Sequence, residues 1–108
     1  MGKVKKVPMV MQMEMVECGA ASLGMVLAYH KKWLPLEQLR KDCGVSRDGC
    51  SAKQLLQAGR SYGMKASAYR LEPNDLDGLA PAIIHWNFNH FVVYCGHRGD
   101  TFYINDPA

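Results

Sequence analysis

Hydrophobic positions change their period near residue 63. From Cys18, the residues Ala20, Ala21, Leu23, Met25, Val26, Leu27 and Ala28 leave almost no polar face until His30-Lys31-Lys32. A helix apolar on all sides is a central, buried one. Gly19 and Gly24 inside it each cost about 1 kcal/mol of helix propensity relative to alanine, which points to close packing there. Leu34 to Gly44 predicts a second helix, with Pro35 near its start and Gly44 at its stop. Ser46-Arg47-Asp48-Gly49 reads as a turn. Ser51 then caps a third helix in which Leu55, Leu56, Ala58 and Tyr62 recur at helical spacing before Gly63. Ahead of all three, Val7-Pro8-Met9-Val10-Met11 is apolar and proline-containing, so an extended lead-in is expected.

After Gly63 the pattern is that of strands. Met64 to Tyr69 alternates, and Pro73-Asn74-Asp75-Leu76 makes a turn or short helix. Ala80 to Trp86, His90 to Gly96 and Thr101 to Asn105 carry strand-type residues, among them Ile83-Ile84 and Phe91-Val92-Val93-Tyr94. Gly96 to Asp100 is the expected loop of a hairpin between the last two. Helices first and antiparallel strands second define an α+β domain over 1–108, mainly helical in 1–63 and mainly strand in 64–108. The chain stops at Asp106-Pro107-Ala108, directly after a strand, which would leave a sheet edge bare. Further C-terminal strands are therefore expected to lie outside this chain.

Composition narrows the classes. At 108 residues, with 48% apolar and 21% charged residues, the chain suits one globular domain. No apolar run approaches the roughly 20 residues of a membrane span, and the lysines at 3, 5 and 6 precede no signal-peptide core. Lys6 stands where a myristoylation signal after Met1-Gly2 wants Ser or Thr. The net charge of +3 comes with no basic helix face or aromatic platform, so nucleic acid is not an expected partner. Four cysteines without a secretion signal read as reduced intracellular thiols. Six residues separate Cys43 from Cys50, outside zinc-knuckle spacing, so a metal site completed by His85, His90 or His97 is the weakest reading.

Candidate chemistry centres on Cys18. Taken alone it reads more readily as an inert buried thiol than as a nucleophile, but the start of a helix attracts negative charge through the dipole and the unpaired N–H groups. Gly19 beside it would leave room for a substrate backbone. Gln12, six residues upstream, could donate its amide to an oxyanion if the intervening loop folds back. A thiolate nucleophile needs an imidazole, and the imidazole an orienting group. His90 opens one strand and Asp106 follows the next, so hairpin pairing would bring them together. Core packing for His90 and turn formation for Asp106 are the plain alternatives. His85 is the rival base.

These residues carry a resemblance. Gln12, the run Glu17-Cys18-Gly19-Ala20-Ala21-Ser22-Leu23, Ser46-Arg47-Asp48-Gly49, the stretch His85 to Val93 and Asn105-Asp106-Pro107-Ala108 resemble, in order and spacing, the bacteriocin-processing cysteine peptidases. Those papain-like domains stand at the N-terminus of peptidase-containing ABC transporters. The resemblance implies that the Cys18 helix packs on an antiparallel sheet, and that a leader is cut from a bacteriocin or lanthipeptide-type precursor after a double glycine. It implies Cys18 as nucleophile, His90 as base and later acid, Asp106 as its orienting group and Gln12 as oxyanion donor, with no cofactor. It further implies an amphipathic leader helix as ligand, fused transmembrane and ATP-binding domains, and a place on the cytoplasmic side of the bacterial membrane. Gly19, Met25, Tyr29, Tyr62, Met64, Trp86 and Asn87 are the candidate substrate contacts, Trp86 as a wall of the glycine slot. Family members continue for several β-segments past Asn-Asp-Pro, and this chain does not. A leader-binding module without turnover and a zinc-stabilised interaction domain are the rival functions.

Overall fold

A computed structural model describes residues 4–47, 49–86 and 90–108. Helix α1 (Cys18–Tyr29) is the pivot of the fold, and every residue from Cys18 to Ala28 is buried. Leu23 and Leu27 pack with Leu39 of α2 (Leu36–Asp42), with Leu55 and Ala58 of α3 (Ala52–Ser61), and with Phe91. Met25 and Val26 pack instead with Val93 and Cys95 of the sheet. Gly24 explains how α2 comes so close: a Cβ there would stand 2.8 Å from Leu39 Cδ1.

Local chemistry sets the helix ends. Ser51 accepts the Gln54 N–H while Gln54 Oε1 accepts the Ser51 N–H, at 3.1 and 2.7 Å, a reciprocal cap for α3. Pro35 is extended (φ −63°, ψ 143°) and forms the N-cap of α2 rather than its first turn. Ser46 and Gly49 exchange both backbone hydrogen bonds, and Gly49 takes a φ of 84° to close that turn.

The sheet has three antiparallel strands in sequence order, β1 (Ala82–Trp86), β2 (His90–Arg98) and β3 (Thr101–Asn105). Phe91, Val93 and Cys95 point at α1, as the period of a strand requires. Two expectations need correction. Met64 to Tyr69 joins no ladder; the Arg60 guanidinium donates twice to the Ala66 carbonyl, at 3.0 and 2.8 Å, occupying an acceptor that a partner strand would need. The expected loop from Gly96 to Asp100 is shorter, because β2 runs on to Arg98 and only Gly99 and Asp100 make the turn. No helix among the described residues is long and apolar enough to cross a membrane.

The N-terminal segment is a strap rather than a tail. Lys5 N–H donates to the Cys95 carbonyl (2.6 Å), Asn105 Nδ2 to the Val7 carbonyl (2.9 Å) and Gln12 N–H to the Pro107 carbonyl (2.9 Å). Val7 and Val10 pack towards the core while Met9, Met11 and Met13 stay exposed. The strap then turns through a short 3₁₀ segment, Met15–Glu17, into α1.

Candidate active site

Cys18 is the first residue of α1 and is buried. Gly19, its neighbour, faces the protein interior: a Cβ there would stand 2.8 Å from Cys50 Sγ, 3.1 Å from Phe91 Cδ2 and 3.2 Å from Leu55 Cδ1. This corrects the expectation that Gly19 clears a path for substrate; it clears a path for β2. The contact also brings the chain neighbours of Gly19 and Phe91, which are Cys18 and His90, into one region.

His90 and Asp106 meet. His90 Nε2 lies 3.0 Å from Asp106 Oδ1, so a proton on Nε2 is donated to the carboxylate and Nδ1 is left on the other edge of the ring. The Ala108 N–H donates to the same oxygen at 2.9 Å. These bonds, the Ala108 N–H foremost and His90 after it, hold the Asp106 carboxyl below the usual carboxylate range. His85 does not share the pair. It sits opposite Phe91 and stacks on that ring, with centroids 4.3 Å apart.

Gln12 is tied to this half of the site through its backbone bond to Pro107. Its side-chain oxygen is buried and accepts no hydrogen bond. A half-turn of the amide would put its NH₂ group in that place.

Glu17 makes contacts that the sequence reading did not assign to it. Its carboxylate is buried, with Oε1 accepting the Met13 and Glu14 N–H groups at 2.8 and 2.9 Å. Oε2 lies 3.5 Å from Arg40 Nε. The available signal was spacing, since a glutamate three residues after Glu14 is the third position of a capping box.

Burial pushes Cys43 up to about 12 and Cys50 up to about 11, and none of the four cysteines forms a disulfide. Among the described residues no group of three or more His, Cys, Asp or Glu side chains is placed to hold a metal ion.

The candidate substrate contacts divide. Met25 is fully buried against Val93 and Cys95 and offers no surface to a ligand, which corrects that expectation. Tyr29, Tyr62 and Met64 are half-buried. The Tyr62 hydroxyl donates to Asp42, and Lys32 Nζ donates to the Tyr62 carbonyl at 2.6 Å. Tyr29 stands at the far end of α1, roughly 16 Å from Cys18 at 1.5 Å per residue. The Trp86 side chain and Asn87 lie outside the described residues.

A buried helix that starts on a cysteine, laid against an antiparallel sheet bearing a His–Asp pair, is the architecture of a papain-like cysteine peptidase domain. The chain belongs to the peptidase C39 family, which it matches over residues 6–108. It is 33% identical over 105 residues to the probable microcin-H47 secretion/processing ATP-binding protein MchF of Escherichia coli, a match covering 96% of this chain. The chain spans only 15% of the length of that relative. A crystal structure of a double glycine motif protease from an AMS/PCAT transporter, in complex with the leader peptide, superposes with a TM-score of 0.93. It is 63% identical and covers 99% of this chain, which in turn covers 77% of that one. The peptidase domain of Streptococcus ComA shares the fold at a TM-score of 0.78, with 24% identity over 94% of this chain and 80% of that chain.

Proposed function

We propose that this chain is a cysteine endopeptidase that removes the leader of a bacteriocin or lanthipeptide-type precursor by cutting after a double glycine. The observation that carries the reading is the 3.0 Å His90–Asp106 pair beside the start of the helix that opens on Cys18. Membership of the peptidase C39 family and the 63% identity to a double glycine motif protease support the substrate class.

In this reading Asp106 fixes the ring with its Nε2 proton inward, so that Nδ1 accepts the Cys18 thiol proton. The sulfur attacks the carbonyl of the second glycine, and the Gln12 amide donates to the oxyanion, a contact worth roughly 3 kcal/mol in comparable sites. His90 returns the proton to the leaving amine. Water, deprotonated by His90, then hydrolyses the thioester. A slot without room for a Cβ would restrict the two residues before the cut to glycine. Tyr29, Tyr62 and Met64, away from the cut, would receive the apolar face of an amphipathic leader helix. In a longer protein, fused transmembrane and ATP-binding domains would couple cleavage to export from the cytoplasmic face.

Incubation of the purified chain with a synthetic leader ending in Gly-Gly and several following residues tests this, with products read by mass spectrometry. One cut after the second glycine is expected, and Cys18→Ala should abolish it. Cleavage by Cys18→Ala, or tight binding of the peptide with no turnover by the unmodified chain, defeats the reading; the second result would favour a leader-binding module.

A further inference from the structure

The geometry points to Glu17 as a positioning residue that holds Gln12 in place relative to Cys18, with Arg40 as its counter-charge; this rests on the peptidase reading above. Glu17 is 3% exposed, and ionised carboxylates are rarely buried without a task. A buried ion pair is a poor source of stability, because an apolar residue of similar volume usually does as well. Its partners explain its presence better. Both N–H groups received by Oε1 belong to Met13 and Glu14, the two residues that directly follow Gln12. The Glu17 N–H in turn donates to the Glu14 carbonyl at 3.1 Å.

Glu17 therefore closes the loop between the glutamine and the cysteine with three hydrogen bonds, two accepted by its carboxylate and one donated by its N–H. On its other side Gln12 is held by the Pro107 carbonyl, next to Asp106. The glutamine is clamped between the helical and the sheet half of the site. Arg40 of α2 reaches Glu17 Oε2 at 3.5 Å and Glu14 Oε2 at 3.3 Å, keeping the carboxylate turned towards the two N–H groups. Loss of the carboxylate frees Met13 and Glu14, and the Gln12 amide loses its fixed place without any change in Cys18, His90 or Asp106.

A double-mutant cycle on the purified chain, with cleavage of a Gly-Gly leader peptide as readout, tests the role. Glu17→Ala should lower kcat about 100-fold, the scale of a 1 Å misplacement, with KM within about threefold. In the Gln12→Ala background the same substitution should cost no more than about threefold, because the group it positions is gone. Glu17→Gln keeps an oxygen for both N–H groups and should recover most of kcat. Arg40→Met, at a half-exposed site, gives a variant with little risk of misfolding and should lower kcat by a smaller factor that also vanishes without Gln12. Amide exchange should quicken at Met13 and Glu14 in Glu17→Ala while α1 keeps its protection. Equal losses in both backgrounds, or α1 opening along with the loop, would overturn the positioning role and leave the peptidase reading standing. No cleavage by the unmodified chain would sink that reading and this role together.

Discussion

Gly19→Ala is the most demanding test of how the site is assembled. Replacing a helical glycine by alanine ordinarily stabilises by about 1 kcal/mol, somewhat less in the first turn, where Gly19 lies. Here the new methyl would meet Cys50 Sγ at 2.8 Å, Phe91 Cδ2 at 3.1 Å and Leu55 Cδ1 at 3.2 Å. The three belong to a loop, a strand and a helix, so no single rotation relieves the crowding. Overpacking of this kind costs about 1–3 kcal/mol, and three simultaneous close contacts put Gly19 at the upper end. The net is a loss of about 1–2 kcal/mol, or roughly 5–10 °C in Tm for a domain of this size. Phe91 precedes no other site residue but follows His90, so kcat on a Gly-Gly peptide should fall about tenfold or more as the imidazole shifts. Two other glycines calibrate the experiment. At Gly59 a Cβ would meet nothing nearer than 3.8 Å, and Gly59→Ala should raise Tm. At Gly24 the nearest atom is the far end of the Leu39 side chain at 2.8 Å, with Val10 methyls at 3.8 Å, so Gly24→Ala should fall between. Adding Cys50→Ala to Gly19→Ala removes the nearest contact and should restore about half of the lost Tm. Thermal melts followed by circular dichroism decide the matter. A Gly19→Ala protein as stable as Gly59→Ala, or no recovery on removing Cys50 Sγ, would refute the packing argument.

Two further outcomes follow from the ionisable groups. With burial pushing Cys43 up to about 12 and Cys50 up to about 11, both stay in the thiol form at pH 8; iodoacetamide on the folded chain should label both slowly for as long as the fold holds, and mass spectrometry showing fast Cys43 labelling would contradict the burial. Asp106 has a depressed carboxyl in the folded state, so its contribution to stability is fully present above the unfolded value of about 4 and is lost as pH falls through the lower folded value. The stability gap between the unmodified chain and Asp106→Asn should then be flat at neutral pH, no more than about 1 kcal/mol after screening of so exposed a pair, and should close in acid; a gap that widened below pH 4 in urea melts would reverse the sign.

How far the sequence could be read depended on whether a feature was local. α1 was legible because a run from Ala20 to Ala28 in which Ser22 is the one polar side chain points to the centre of the fold, and α3 because Ser51 and Gln54 form their cap within one turn. The strands of the sheet were visible as runs of β-branched and aromatic residues. Met64 to Tyr69 alternates just as well, yet no strand partners it, and alternation carries no information about a partner. The inward aim of Gly19 was equally hidden, since glycine signals close approach without saying of what. Glu17 is legible only in part, because its hydrogen bonds are short-range but its counter-charge, Arg40, comes from another helix.

The meeting of His90 with Asp106 shows the limit most sharply. The two-residue turn sets Arg98 opposite Thr101 and Gly96 opposite Tyr103, a register that, continued unbroken, would put Asp106 across from Val93. Val93 faces α1, so Asp106 would then lie on the opposite face of the sheet from His90. The register instead shifts between Tyr94 and Gly96, leaving Cys95 as the extra residue of a β-bulge, and beyond it Val93 pairs with Asn105. The ring contacts record the change of face. Tyr94 and His97, three residues apart, both touch Phe102, with centroids at 6.0 and 5.1 Å, which an unbroken strand would not allow. Carried one residue beyond Asn105, this register puts Asp106 across from Val92 and on the same face as His90, as the His90–Asp106 bond requires. Lys5 N–H donates to the carbonyl of Cys95, the bulge residue, at 2.6 Å, so the strap that carries Gln12 is anchored on the same irregularity that aligns Asp106. One inserted residue in β2 thus serves both the acid–base pair and the segment bearing the oxyanion donor, and no periodicity in the sequence marks it.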